Sequence, residues 1–305
     1  MNSKTNIALK RVLQVLAVAA SLAVAALAQT AAPAEYTYTA DAIKAHVQAI
    51  SVGVTNSDRA DAIRKELLKL KIRVSTAGFN TGGKPGTEIT GTNIIAEIPN
   101  PDATRVIMIG AHMDRVSKGS GAIDNASGSA AVLELLKAFA ARPMKNVTLK
   151  AAFWDAEERG LVGSKTWVKT RKEGELPGVY INFDVFGYGN MLWLWATDFE
   201  SEYAKAFSLS AAALSQSHSI SKEYPPSDHL SFNVPGVQSY SFSLLTSGEV
   251  ASVQKFLSGK ADQNAPMPDV LRIIHTDGDT PDKINAGEVA AALPAVERSI
   301  RILDK

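Results

Sequence analysis

The sequence predicts a single three-layer α/β domain, with a mostly parallel central sheet covered by helices on both faces. From Thr90 onward, short β-rich runs alternate with helical stretches. The predicted strands are apolar throughout, which is typical of strands that are buried on both faces. No repeat or low-complexity tract interrupts the alternation, so one domain is expected although 305 residues would allow two.

Composition excludes several classes of protein. The chain has 46% hydrophobic and 21% charged residues, which are ordinary globular proportions. It contains no Cys, so disulfide scaffolds, Cys-ligated zinc, iron–sulfur clusters and thiol nucleophiles are excluded. Its 32 basic and 31 acidic residues give a formal charge of +1, which does not favour nucleic acid as a partner.

The first residues predict export to the periplasm or the extracellular space. Lys4, Lys10 and Arg11 precede an apolar run that ends in small residues at Ala28, a pattern typical of a signal peptide over residues 1–28. A membrane anchor is the alternative, but the small residues favour cleavage, which leaves no stable anchor. Residues 29–38 are then expected to be a mobile leader, and 39–305 the folded domain.

Two helical patterns open the folded part, Asp41–Val52 and a second from Ser57 to about Leu70. The predicted strands are Asn93–Ile98, Arg105–Gly110, Val147–Trp154, Val179–Val185, Met191–Ala196 and Val237–Leu244, and the helices between them are Ser127–Ala141, Ser164–Arg171 and Ser201–Ser215. In open parallel sheets, ligands bind beyond the carboxyl ends of the strands. Functional residues are therefore expected at that edge.

Two segments with candidate metal ligands follow the second predicted strand. Residues two apart on an extended chain point to the same side, so His112 can bind a metal while Asp114 accepts its other ring N–H. In Gly121-Ala-Ile-Asp-Asn-Ala-Ser-Gly128, Asp124 can either cap the next helix or bridge two metal ions. The residues around Asp124 do not separate these two roles.

Three further segments add carboxylates and a second His. Glu157 and Glu158 point apart, so Glu158 can bind a metal while Glu157 faces an attacking water. Asp184 ends an apolar strand, where a charge without a cation partner would be costly. With His275, these groups suit two Zn²⁺ ions that share Asp124, and Mn²⁺ or Co²⁺ could substitute.

Together these motifs resemble peptidase family M28, in particular its secreted bacterial aminopeptidases, over roughly residues 90 to 305. The resemblance implies a zinc-peptidase catalytic domain in which His112, Asp124 and Asp184 bind one zinc ion. It implies that Asp124, Glu158 and His275 bind the other, that Glu157 is the general base, and that Asp114 orients His112. The implied activity is hydrolysis of N-terminal residues of peptides by a water activated between the two ions.

Other residues are predicted to shape the substrate site. Asp228 and His229 belong to a Ser-Asp-His segment that recurs in the family, and they are expected to line or brace the site. Val185 and Ile274 are expected to form an apolar wall for the substrate side chain. His46 is expected at the surface.

Several functions remain open from the sequence alone. A glutaminyl cyclase, which is a related acyltransferase with one zinc ion, is the nearest alternative to the aminopeptidase. A carboxypeptidase or dipeptidase on the same fold would differ in loops that the sequence does not interpret. A non-catalytic binding module is disfavoured because every expected ligand is present.

Overall fold

The structure is a computed structural model that describes residues 36–82, 86–172, 174–262 and 265–305. Its strands form one eight-stranded sheet. They are β1 (Arg73–Asn80), β2 (Thr90–Ile98), β3 (Arg105–His112), β4 (Val147–Trp154), β5 (Val179–Tyr188), β6 (Met191–Trp195), β7 (His218–Ser221) and β8 (Gln238–Leu245). Their order across the sheet is β1-β2-β4-β3-β5-β8-β6-β7.

The centre of the sheet is parallel and its flanks are mixed. Strand β3 pairs in parallel with β4 and β5, and β5 pairs in parallel with β8. The β1–β2, β2–β4 and β6–β8 pairs are antiparallel. The predicted α/β domain is confirmed, with a mixed sheet whose parallel core carries the apolar runs. Two strands were not predicted from the sequence, namely β1, whose residues are mostly exposed, and the four-residue β7.

Helices cover both faces of the sheet. They are α1 (Ala40–Ser51), α2 (Asn56–Lys69), α3 (Ser127–Ala141), α4 (Val162–Lys169), α5 (Glu202–Ala213), α6 (Ser247–Leu257), α7 (Asp269–Ile273) and α8 (Ala286–Arg301). Helix α3 packs on β3 and β5 and is itself flanked by α1 and α8, whereas α4 packs on the opposite face beside the 3₁₀ turn Asp228–Phe232. The large core lies under α3, and a smaller cluster around Trp154 and Phe232 lies under α4.

The second helix begins earlier than the sequence indicated. Thr55, not Ser57, is the N-cap: its hydroxyl accepts from the Asp58 N–H at 3.2 Å, and the Asp58 carboxylate accepts from the Thr55 N–H at 2.8 Å. This reciprocal pair is a capping box, which satisfies two backbone donors at the helix start.

The end of the predicted leader is fixed to the domain. The Tyr36 hydroxyl donates to Glu134 at 3.0 Å, and the Tyr38 hydroxyl donates to Glu297 at 2.9 Å. Residues 36–38 therefore belong to the packed structure, because each tyrosine satisfies a buried carboxylate on α3 or α8. The predicted signal peptide and residues 29–35 lie outside the described residues. Among the described helices, none has the length and apolar character needed to cross a bilayer.

Glu134 is the centre of a buried polar cluster behind the sheet. Besides Tyr36, it contacts His46 Nε2 at 3.0 Å and Lys137 Nζ at 2.6 Å. His46 is only 4% exposed, so its expected surface position is wrong: the helix face that carries it packs against α3. Burial alone would raise the pKa of Glu134, but its contacts with His46 and Lys137 outweigh burial and lower it.

We predict that Glu134→Gln destabilises the fold by about 3 kcal/mol at pH 7, because it leaves the partner cation without its buried carboxylate. A carboxyl whose pKa is lowered by folding contributes stability above its unfolded pKa and loses that contribution as the pH falls. The difference between variant and wild type should therefore shrink below about pH 4. Urea unfolding at pH 7 and at about pH 3 measures it, with the exposed Glu223→Gln as the control. An equal loss at both pH values would contradict an ionic role for Glu134.

Candidate metal centre

The candidate ligands meet at the carboxyl edge of the sheet, although they are distant in sequence. His112 is the last residue of β3, and Glu157 and Glu158 follow the end of β4. Asp184 lies in β5, where the register with β8 is irregular between Phe183 and Phe186. Asp124 precedes α3 and His275 follows α7. The location agrees with the edge that parallel strands predict.

These side chains form two groups that share Asp124. His112, Asp124 and Asp184 offer one ligand atom each within 4.8 Å of one another, and so do Asp124, Glu158 and His275. The two Asp124 oxygens divide between the groups. Its Oδ1 lies 3.0 Å from His112 Nε2, and its Oδ2 lies 3.0 Å from His275 Nε2. One carboxylate therefore faces both histidines at once.

The remaining ligand atoms complete each group. His112 Nε2 lies 3.4 Å from Asp184 Oδ1, and His275 Nε2 lies 3.0 Å from Glu158 Oε2. Within the described part of the chain, Asp184 Oδ1 and Glu158 Oε1 are buried and have no hydrogen-bond partner. Buried carboxylate oxygens without partners are costly, and a divalent cation would satisfy them. Nitrogen and oxygen donors without sulfur suit zinc.

The carboxylates and histidines of this cluster shift one another's pKa values. Burial would raise the pKa of Asp124, but hydrogen bonds with His112 and His275 lower it below its ordinary value. Hydrogen bonds with Asp124 and Glu158 raise the pKa of His275 to about 10. Burial is the largest cause that raises the pKa of Glu157 to about 9, and nearby Asp228 and Asp184 add to it against the opposing effect of His112.

Asp114 connects His112 to the segment after β4. Its Oδ1 lies 3.4 Å from His112 Nδ1, and the carbonyl oxygen of Asp114 lies 3.2 Å from the same nitrogen. The N–H groups of Glu157 and Glu158 donate to the two Asp114 oxygens at 3.0 and 3.2 Å. Asp114 is 1% exposed. It therefore fixes both the imidazole and the backbone of the two glutamates, a wider role than the sequence predicted.

Arg59 on α2 is a residue that sequence reasoning missed. Its guanidinium donates to the carbonyl oxygens of Met113, Ser120 and Gly121 at 2.5, 2.9 and 3.0 Å. The side chain is fully buried, and burial lowers its pKa to about 10. Arg59 thus holds the loop that joins His112 to Asp124. A single arginine in a predicted amphipathic helix gives no signal of this contact.

Asp279 holds the same loop from the C-terminal side. It accepts from the N–H groups of Ile123 and Asp124 at 2.6 and 3.2 Å, and its carbonyl oxygen accepts from the Ser120 N–H at 2.9 Å. Only glycine fits at position 119, where a Cβ would lie 2.2 Å from the Thr276 carbonyl oxygen. Asp279 follows the candidate ligand His275 by four residues, and this proximity is a signal for it in the sequence.

A cavity of about 180 Å³, here called the apolar cavity, opens beside the two groups. Val185 and Ile274 line it, as predicted for an apolar wall. Val185 has a φ of +54°, which is uncommon for a β-branched residue. The wall also includes Trp193, Leu245, Val253 and Val270.

Asp228 and His229 lie behind this wall rather than on its surface. They are 0% and 1% exposed. Asp228 accepts from the Ser164 hydroxyl at 2.5 Å, and burial raises its pKa to about 7. The His229 ring packs 4.4 Å from Trp195, and burial lowers its pKa to about 3. Of the two roles expected for them, the structure shows bracing and not lining, because the 3₁₀ turn that carries them packs against β5 and β8.

Comparison with known proteins connects this geometry to one family. The sequence pattern of Peptidase family M28 matches residues 93–298. Leupeptin-inactivating enzyme 1 of Streptomyces exfoliatus is 37% identical over 160 residues, which cover 48% of this chain and 36% of that enzyme. The chain thus spans little more than a third of the length of this curated relative.

Solved structures share the fold. An aminopeptidase from Aneurinibacillus sp. strain AM-1 matches with a TM-score of 0.68 at 16% identity, covering 87% of this chain and 93% of that one. The glutaminyl cyclase of Porphyromonas gingivalis matches with a TM-score of 0.66 at 19% identity, covering 88% and 99%. At these identities the likeness shows the fold alone.

We predict that Arg59→Met costs at least about 3 kcal/mol of stability, because three buried carbonyl groups lose a charged donor. The loss should be larger with zinc than with chelator, since the freed loop carries Asp124. Urea unfolding under both conditions measures this. Arg64→Met, on the same helix but partly exposed, should stay within about 0.5 kcal/mol of the wild type. Equal losses with zinc and with chelator would restrict Arg59 to supporting the fold.

Proposed function

This chain belongs to peptidase family M28, and on that premise we propose that it is a two-zinc aminopeptidase that removes apolar residues from the N-termini of peptides. The observation that carries this proposal is the pair of three-ligand groups that share Asp124. Each group contains all three of the metal ligands that were expected from the sequence. A binding module on the same fold would not need this complete set.

We assign the proposed ligands to two ions according to the distances between their donor atoms. His112, Asp124 and Asp184 would hold one ion, and Asp124, Glu158 and His275 would hold the other. Zinc is proposed for both sites, and Mn²⁺ or Co²⁺ could replace it. When bound, such a pair lowers the pKa of water and polarises the carbonyl group of a substrate.

Glu157 is proposed as the general base. It lines the apolar cavity next to both groups but belongs to neither of them. Asp114 fixes its backbone, so its carboxylate stays at the edge of the cavity. Glu157 would take a proton from the attacking water and deliver it to the leaving nitrogen. Nearby cations favour the ionised form of a carboxyl group, which would lower the raised pKa of Glu157 toward the range a base needs.

The apolar cavity is the proposed site for the side chain of the N-terminal residue. Its lining combines an apolar wall with the carboxylates of Glu157 and Asp184 at one end. An uncharged side chain can enter the apolar part while the positive α-amine faces these carboxylates. This arrangement supports cleavage from the N-terminus rather than from the C-terminus.

A glutaminyl cyclase is the second candidate, because such an enzyme from P. gingivalis shares the fold over nearly its whole length. The complete His112 group favours two ions, whereas the cyclase alternative predicts one. Assays of peptides with N-terminal Gln beside leucine anilides separate these functions. Release of leucine supports the aminopeptidase, and formation of a cyclised N-terminus supports the alternative.

Export is also proposed, on the sequence pattern of residues 1–28 alone. The mature protein would begin after Ala28 and act in the periplasm or outside the cell.

We predict that Glu157→Gln lowers kcat roughly 10³-fold while metal content stays near that of the wild type, because the residue moves protons and holds no ion. Steady-state kinetics and elemental analysis of the same preparation measure both effects. Glu158→Gln is the matched control and should lose metal as well as activity. A Glu157 variant that lost metal but kept its rate would contradict these roles.

We also predict that the purified protein binds two zinc ions and that chelation abolishes leucine anilide hydrolysis. His275→Ala should remove one ion and leave the His112 group occupied, because Asp124 contributes a different oxygen to each group. Elemental analysis and titration of the metal-free protein measure the stoichiometry. Binding of a single ion to the wild type, or activity that survives chelation, would contradict the two-ion proposal.

A further inference from the structure

A second cavity, here called the arginine cavity, lies on the other side of the Glu157–Glu158 segment. It has a volume of about 450 Å³, and its lining includes Asn56, Thr90, Arg115, Asp155 and Arg159. Glu158 lines both this cavity and the apolar cavity. All five candidate metal ligands line the apolar cavity, and Glu158 is the one among them that also borders the arginine cavity.

The two arginines of this cavity carry charge without a carboxylate partner. Within the described residues, neither Arg115 nor Arg159 has an Asp or Glu oxygen within ion-pair distance. The Arg115 guanidinium instead donates to the carbonyl oxygens of Val54, Val116 and Gly119 at 2.9 to 3.0 Å, which fixes it in the wall. Arg159 is exposed and forms no hydrogen bond with another described side chain or backbone group.

Two carboxylates at the cavity, those of Asp155 and Asp114, accept hydrogen bonds from backbone N–H groups. Asp155 accepts from the N–H groups of Thr92 and Ala156, both at 2.9 Å. Asp114 accepts from those of Glu157 and Glu158. Neither carboxylate pairs with Arg159, so the guanidinium of Arg159 is available to an anionic ligand.

The direction of the substrate follows from the proposed function, on which this inference rests. If the N-terminal side chain occupies the apolar cavity, the chain beyond the scissile bond must leave the metal centre on another side. Glu158 forms the boundary with the arginine cavity, and Arg159 is the next residue along the chain. Each residue of an extended peptide spans about 3.5 Å, so the second or third residue of a substrate would come close to Arg159.

We propose that the arginine cavity is the subsite for the residues after the scissile bond and that Arg159 binds a carboxylate there. Planar guanidinium groups suit carboxylates because they can donate two parallel hydrogen bonds. The carboxylate can be the free C-terminus of a short peptide or an acidic side chain after the N-terminal residue. The substrates this site favours are accordingly di- and tripeptides, or peptides with Asp or Glu close behind the N-terminus.

The test compares paired substrates on the metal-loaded full chain. Leu-Gly-Gly with a free carboxylate is compared with its C-terminal amide, and Leu-Glu-amide is compared with Leu-Gln-amide. The first pair reports on the peptide terminus and the second on an acidic side chain. The variants are Arg159→Ala, the charge-preserving Arg159→Lys, and Arg171→Ala. Arg171 is an exposed arginine over the Trp167 ring and lines neither cavity, so it is the matched control.

We expect the wild type to prefer the charged member of at least one pair by roughly fivefold in kcat/KM, as a partly exposed guanidinium–carboxylate contact allows. The preference should arise mainly in KM and weaken at high salt. Arg159→Ala should abolish it, Arg159→Lys should retain part of it, and Arg171→Ala should keep it in full.

Equal kcat/KM within both pairs, or a preference that survives in Arg159→Ala, would overturn this subsite while leaving the aminopeptidase proposal intact. Hydrolysis of leucine anilide is measured in parallel to separate the two proposals. If the wild type cleaves neither the anilide nor the peptides, the aminopeptidase proposal fails and the subsite fails with it. If N-acylated peptides lose their C-terminal residue instead, Arg159 would serve a carboxypeptidase, and the stated direction of the substrate is wrong.

Discussion

The candidate metal centre depends on one carboxylate that contacts two histidines at the same time. Asp124 presents one oxygen to His112 and the other to His275, so two groups of three ligands share it. Glu158 and Asp184 complete the groups and add further negative charge beside the buried Asp124 and His112. Charges of this kind are tolerated in a protein interior only with cations close by. The proposed chemistry follows from that electrostatic requirement.

Three contacts from distant parts of the chain keep Asp124 and its neighbours in place. Arg59 comes from the second helix, Asp279 from the segment before the last helix, and Asp114 from the end of β3. All three bond to backbone groups of the loops rather than to the proposed ligands' carboxylates. The loops are therefore positioned independently of any ion. Because the loops are already in place, the candidate metal-binding side chains at the edge of the sheet would lose little conformational freedom on binding an ion.

The two cavities on either side of the Glu157–Glu158 segment divide the proposed substrate site by polarity. One is walled by β5, β6, β8, α6 and α7 and is mostly apolar. The other is walled mainly by the loops after β3 and β4, and it carries two arginines beside three carboxylates. A segment of two adjacent glutamates thus separates the proposed site for an uncharged side chain from the proposed site for a carboxylate. The same backbone that positions the proposed base also forms this boundary.

The sequence by itself determined the α/β class, most central strands and the identity of every residue in the two ligand groups. It did so because buried parallel strands read as apolar runs, and because carboxylates and histidines directly after such runs stand out. It did not determine β1, the burial of His46, the contacts of Arg59 or the position of Arg159 at a cavity, because the local patterns of these residues are those of ordinary surface residues. Only the tertiary structure decided these, and it moved Asp228 and His229 from the cavity surface to its support. The physical reason is that the burial and the contacts of a side chain depend on which distant segments pack together. The residues next to it in the sequence do not determine that packing.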